Sequence, residues 1–169
     1  MKEIRNKKIL GVILIICGIV LFLYFGKSIF NNRKYHITKY LDINIKNCQV
    51  DSEKDTHGGF LGDGDYFAKL ICTEKEDNEV KSKWIKLPLS VEIEKVLNII
   101  DCHDNGCKTA YERYNIPNII DGYYYFYDRH SESSDSKDDK NLNNRSSYNF
   151  SVGIYDSSTK TIYFYELDT

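Results

Sequence analysis

The apolar positions of this chain change rhythm along its length. From Ile9 to Gly26 they run without a break through eighteen uncharged residues, behind a basic head holding Lys2, Arg5, Lys7 and Lys8. Wound as a helix at about 1.5 Å per residue, such a run reaches roughly 27 Å, near the thickness of a bilayer's hydrocarbon core. It predicts a transmembrane helix. Beyond it a period of two takes over. Leu41, Ile43 and Ile45 alternate with polar residues, and after Asn47 the phase shifts to Cys48 and Val50, as it would across a bulge. Tyr66, Ala68, Leu70 and Cys72 form a second alternating face, and the aromatic run from Tyr123 to Tyr127 has strand propensity throughout. Phe150, Val152 and Ile154, a polar turn from Asp156 to Lys160, then Ile162 and Phe164 read as a closing hairpin.

Helical spacing marks one clear segment. Ser90 is placed to cap it, Glu92 lies in its first turn, and Ile93, Val96, Leu97 and Ile100 recur at i, i+3, i+4 and i+7. A weaker helix is expected over roughly Asn78 to Ile85, stopped before the Leu87-Pro88-Leu89 break. Strands, then a helical middle, then strands again predict an α+β fold: one small domain with an antiparallel sheet packed on one face by one or two helices.

The flanks of the apolar run decide between an anchor and a cleaved leader. No Ala-x-Ala-like site follows it, only Gly26-Lys27-Ser28, and the run is longer than a usual signal-peptide core of about 7 to 15 residues. A lipoprotein signal is a third reading, since residues 14–18 loosely match a lipobox, but Ile16 stands where a small residue is required before Cys17. Basic residues tie across the span; those of the head are the more tightly packed, which favours a cytoplasmic N-terminus. The expected organisation is a basic cytoplasmic tail (1–8), a transmembrane anchor (9–26), a juxtamembrane linker (27–37) and an extracytoplasmic domain (38–169). Of the 23 basic and 25 acidic residues, seven and one precede residue 35, leaving 16 against 24, a net −8, for the outer part. Such a domain gains nothing from a phosphate backbone, so nucleic acid is excluded as a partner.

Candidate chemistry concentrates in three places. In the glycine-rich stretch from Asp55 to Asp65, the side chains of Asp55, His57, Asp63 and Asp65 offer the mixed carboxylate and imidazole set that suits a divalent cation. The competing reading is a glycine-supported loop whose aspartates satisfy turn amides. His57-Gly58-Gly59 echoes an esterase oxyanion loop, but the chain has no Gly-x-Ser-x-Gly elbow. A second stretch, Arg129 to Ser147, follows the aromatic strand, which would present Arg129, His130 and Glu132 for ligand binding or acid-base work; otherwise it is a solvated loop. Third, the outer part holds four cysteines. Cys102 and Cys107, spaced around Gly106, form a disulfide candidate, whereas Cys48 and Cys72 read as buried thiols. Ten of the fourteen tyrosines lie at or after Tyr111, as on a sheet face that binds a peptide or glycan, or simply on half-buried strands.

The stretch Asp55 to Phe60 with Gly62-Asp63-Gly64, then Leu87 to Ser90, Asp128 to Ser133 and the ending Tyr163 to Thr169 together resemble an uncharacterised family of small membrane-anchored proteins from Gram-positive bacteria. The resemblance spans about residues 55 to 169 and implies a cell-envelope setting, with no catalytic or binding residue attached to it. The residues therefore favour a single-pass membrane protein whose outer domain binds an unidentified protein, peptide or glycan without catalysis and with no cofactor. A metal-dependent hydrolase at the cell surface, using a divalent cation, and a small inhibitor or immunity-type protein are the alternatives.

Overall fold

The last two strands supply the frame. Asn149–Asp156 (β7) and Thr161–Asp168 (β8) are nearly unbroken runs of β-branched and aromatic residues, and the turn between them, residues 157–160, gives one antiparallel hairpin of eight paired positions. Strands this apolar on both sides must be covered on both faces. The computed structural model, which describes residues 15–19, 33–58, 62–99, 101–103 and 106–169, meets that requirement with layers on either side of one sheet.

Two compact units divide the chain, Met1–His36 and Ile37–Thr169. In the first, residues 15–19 are helical and Cys17 carries a free thiol; the rest of the expected anchor at 9–26 lies outside the described residues. Among the described residues no helix is long and apolar enough to cross a membrane.

In the second unit six strands form one antiparallel sheet. The remaining four are Gln49–Asp55 (β1), Gly64–Ile71 (β2), Ile85–Lys86 (β3) and Gly122–Asp128 (β6). Their order across the sheet is β1-β2-β8-β7-β6-β3. A separate small ribbon pairs Asp101–His103 (β4) with Gly106–Lys108 (β5). Because side chains alternate across a strand, Ile162 and Phe164 of β8 face one layer while Tyr163 and Tyr165 face the other. The first layer is built from helical residues 33–41 (α1), which contribute Ile37 and Leu41, and from Glu74–Lys83 (α2), which contributes Val80. Opposite it lie Val91–Leu97 (α3), with Ile93, Val96 and Leu97, and Ala110–Tyr114 (α4), with Tyr114 stacked on Phe67 at 4.5 Å.

Local sequence explains the helix ends. Thr73 and Glu76 form a capping box at α2, Thr109 and Glu112 another at α4, and the Ser90 hydroxyl accepts the Ile93 N–H at the start of α3, as expected from the sequence. Gly153 is glycine for a packing reason. A Cβ there would lie 2.7 Å from the Trp84 ring and 2.8 Å from Leu41, so its absence seats the indole against β7, where Nε1 donates to the Leu41 carbonyl at 3.0 Å.

Several expectations need correction. The helical coverage is on both faces, not one. Leu41, Ile43 and Ile45 are buried as expected but not in a strand: Leu41 ends α1, and residues 42–48 run irregularly under the sheet before β1 begins at Gln49. The bulge falls between Val50 and Ser52. The weaker helix starts earlier and ends sooner, and β3 separates it from Pro88. Cys48 and Cys72 are not free thiols but a disulfide, joining the start of β1 to the end of β2.

Closing a loop across that 24-residue separation restricts the unfolded chain by about 3 kcal/mol. Replacing Cys48 and Cys72 by alanine is expected to lower unfolding stability by about that amount in denaturant titration. Cys107 is disulfide-bonded and lies directly opposite Cys102 in the β4–β5 register. Mass mapping of unreduced protein is therefore expected to give two cross-links, Cys48–Cys72 and Cys102–Cys107; free thiols at the latter pair would refute the second.

Candidate functional site

The stripe that packs Ile162 and Phe164 into the core continues along β8 at the same period of two, but its last two members are Glu166 and Asp168. Glu166 is only 3% exposed. Two carboxylates at the end of an apolar stripe need cationic partners. They come from both stretches singled out in the sequence. Arg129, the residue after β6, places Nη2 3.1 Å from Glu166 Oε1 and 2.8 Å from Asp168 Oδ1, and also donates to the Phe150 carbonyl at 3.1 Å. Its guanidinium lies over the Tyr40 ring, 5.2 Å from the centroid. From the other side His57 sets Nε2 3.1 Å from Asp168 Oδ2 while Nδ1 lies 2.8 Å from Asp55 Oδ1.

The loop holding His57 is fixed by its own backbone. Thr56 N–H donates to the Asp65 carbonyl at 2.8 Å and Gly58 N–H to that of Asp63 at 3.3 Å. This folds the chain so tightly that a Cβ on Gly64 would lie 2.6 Å from the His57 backbone, and Gly64 takes φ +155°. Burial would lower the pKa of His57, but its bonds to Asp55 and Asp168 and their charges outweigh that and raise it above 6.5.

The four residues expected to share a cation separate. Asp55 and His57 join Asp168, whereas Asp65 points to the opposite face. There it accepts from the Thr56 hydroxyl and, at 3.3 Å, from Arg113 Nη1. Buried beside Asp65, the Tyr114 hydroxyl has its pKa pushed up, by burial first and by that carboxylate second. His57, Glu166 and Asp168 do bring one ligand atom each within 4.8 Å of one another. Two features weigh against a cation there. Arg129 already puts a positive group between the carboxylates, and both imidazole nitrogens are engaged.

The second stretch divides in the same way. Arg129 joins the cluster, but His130 and Glu132 turn away from it. His130 Nδ1 accepts the Glu132 N–H at 3.2 Å, so in the neutral ring the proton sits on Nε2, 3.1 Å from the Ser147 hydroxyl. That tautomer donates to Ser147 and cannot take its proton, the reverse of a nucleophile and general base. Downstream, Arg145 reaches back to buried Asp128 at 2.7 Å. Burial opposes ionisation of Asp128, yet this ion pair and the His130 N–H hold its pKa below the ordinary range. Leu142, in a 3-10 turn at Leu142–Asn144, is buried, so the long polar stretch is pinned to the domain at both ends.

Next to the cluster, where β2 begins and β8 ends beneath α3 and α4, lies a cleft of about 440 Å³. Val96, Ile99, Ala110, Tyr165 and Leu167 give it an apolar floor, and Asp63, Asp65, Asp168, Lys108 and Arg113 stand at its edge. Apolar lining with a few polar groups, in the volume range of about 300 to 1,000 Å³, is the usual form of a ligand site. Sequence reasoning found Asp63 and Asp65 but missed Glu166 and Asp168; the acids interrupting the apolar period of β8 were the available signal. No protein-family model, curated protein or solved structure matches this chain.

The clamp on His57 has a pH signature. Its raised pKa means that its stabilisation is fully present below about 6.5 and is lost as pH rises through the folded-state value. NMR titration of the full chain should place the His57 midpoint above 6.5, and Asp168→Asn should lower it; a midpoint that ignores Asp168→Asn would rule out the clamp. Arg129→Met, which takes the guanidinium from buried Glu166 and leaves Asp168 with His57 alone, should cost about 3 kcal/mol in denaturant unfolding.

Proposed function

We propose that the protein is a single-pass membrane protein, held by Ile9 to Gly26 with its N-terminus in the cytoplasm, whose outer domain binds a ligand in the cleft at the start of β2 and the end of β8 without catalysing a reaction on it. The observation that carries the binding reading is the cleft itself, apolar in its floor and edged by charged groups that neighbouring residues hold in place. A ligand meeting preordered side chains loses little affinity to ordering them. The same ties count against catalysis. His57 is bonded at both nitrogens, His130 carries its proton on the wrong side for a base, and Arg113 and Arg129 are committed to carboxylates. The Cys48–Cys72 disulfide supports an outward-facing domain, because such bonds persist in oxidising compartments and are rare in the cytosol. The resemblance in Asp55 to Phe60 and Tyr163 to Thr169 to small membrane-anchored proteins of the Gram-positive envelope points the same way.

Two measurements test this reading. A reporter fused after Thr169 that is active only outside the membrane should give signal in the membrane fraction. Signal only from a cytoplasm-restricted reporter would invert the orientation, and release into the medium would show cleavage. Thermal melting of the full chain should be insensitive to a chelator. A chelator-dependent drop that disappears in Asp168→Asn would favour the metal-dependent hydrolase instead.

A further inference from the structure

Resting on that reading of the cleft, we propose that its ligand is a cationic amphiphile, most simply a short peptide segment carrying a lysine or arginine beside apolar side chains. The floor calls for the apolar part. Val96, Ala110 and Tyr165 are buried, Leu167 is partly so, and Ile99 at the mouth is 44% exposed, so a ligand lying across them removes apolar surface from water on both sides. The surroundings call for the positive part. At the cleft edge the three carboxylates of Asp63, Asp65 and Asp168 stand with the two cations of Lys108 and Arg113, and behind Asp168, toward the other face of the sheet, Asp55 and Glu166 add two carboxylates to the one cation of Arg129.

Arg113 is bound to Asp65 and Arg129 to both Glu166 and Asp168, so within these pairs acid and base offset one another and one carboxylate charge is left over, while Asp63 and Lys108 both stand at the edge. The balance is negative by two with His57 neutral and by one with it protonated. An arriving ammonium or guanidinium meets that surplus, and an arriving phosphate or carboxylate is repelled by it. Beyond contact range, the net −8 of residues 35–169 draws cationic solutes toward the domain and disfavours anionic ones. The cleft volume suits the side chains of a few residues, not a folded partner.

The test uses the full chain in nanodiscs of uncharged phosphatidylcholine, so that the lipid itself does not hold cationic peptides. Binding of acetyl-Leu-Lys-Leu-amide is compared with that of acetyl-Leu-Glu-Leu-amide and acetyl-Leu-Gln-Leu-amide by calorimetry. The lysine peptide is expected to bind about tenfold more tightly than the glutamate peptide. That preference should shrink with added salt and in Asp63→Asn, and Ile99→Ser should weaken all three peptides. Asp63 and Ile99 are exposed, and unchanged melting of the variants confirms that they fold. Equal or tighter binding of the glutamate peptide, still weakened by Ile99→Ser, would overturn the cationic ligand and leave the cleft standing as the site. Absence of binding by every peptide, or binding indifferent to Ile99→Ser, would overturn both.

Discussion

The ion pairs that Arg129 makes with Glu166 and Asp168 close the open end of a strand walled elsewhere by aromatic and aliphatic side chains. β8 sits inside the sheet, with β2 on one side and β7 on the other, and helices cover both of its faces. Only at its last residues does the apolar cover stop. A buried carboxylate there is tolerable only with a positive group in contact, and a guanidinium is suited to it because one planar fork reaches two acids and a carbonyl at once. The end of β6 and the loop after β1 are thus tied to the same residue, Asp168. Elements 40 to 110 positions away in sequence are joined at one point, and the cleft wall is assembled as a result.

The alternating pattern revealed where the chain is buried more faithfully than what shape it takes. Ile43 and Ile45 are fully covered, yet they lie in an irregular segment, because a turn that threads beneath a sheet buries every second residue much as a strand does. β7 and β8 were legible as a hairpin from the polar turn between them, but their outer-face residues Tyr163 and Tyr165 blended into the run. Continuous apolarity of that kind is the mark of a strand covered twice, and it is what the second helical layer answers. Caps were the best local signal: Ser90 performs the role its position implied. The Cys48–Cys72 pairing was out of reach, since nothing in the spacing says that β1 and β2 bring those ends together.

The site was half legible for a related reason. Glycine density locates the loop at residues 55–64, and a strand end followed by charge locates Arg129, yet chain order offers each only its neighbours in sequence as partners. In the folded domain the partners are distant: Asp168 is 111 residues from His57 and 39 from Arg129. Conversely Asp55 and Asp65, near neighbours in the chain, are directed to different faces, because Asp55 pairs with Tyr66 across β1 and β2 and the pleat sends Tyr66 and its neighbour Asp65 to opposite layers. Composition can gather carboxylates and imidazoles into a plausible metal set, but the parity of the strands decides which of them meet.

Charge compensation also bears on what such a place can do. A catalytic base needs a lone pair directed at its substrate, and a metal site needs carboxylates whose oxygens are not already bonded to a guanidinium. Here the strongest interactions are internal, and what remains at the cleft is its apolar floor with Asp63 and Lys108 at the edge. A change that loosens Arg129 shifts Asp168, which belongs to both the cluster and the cleft, and so alters the cleft wall from behind. Stability of the strand end and the shape of the cleft are for that reason properties of one network.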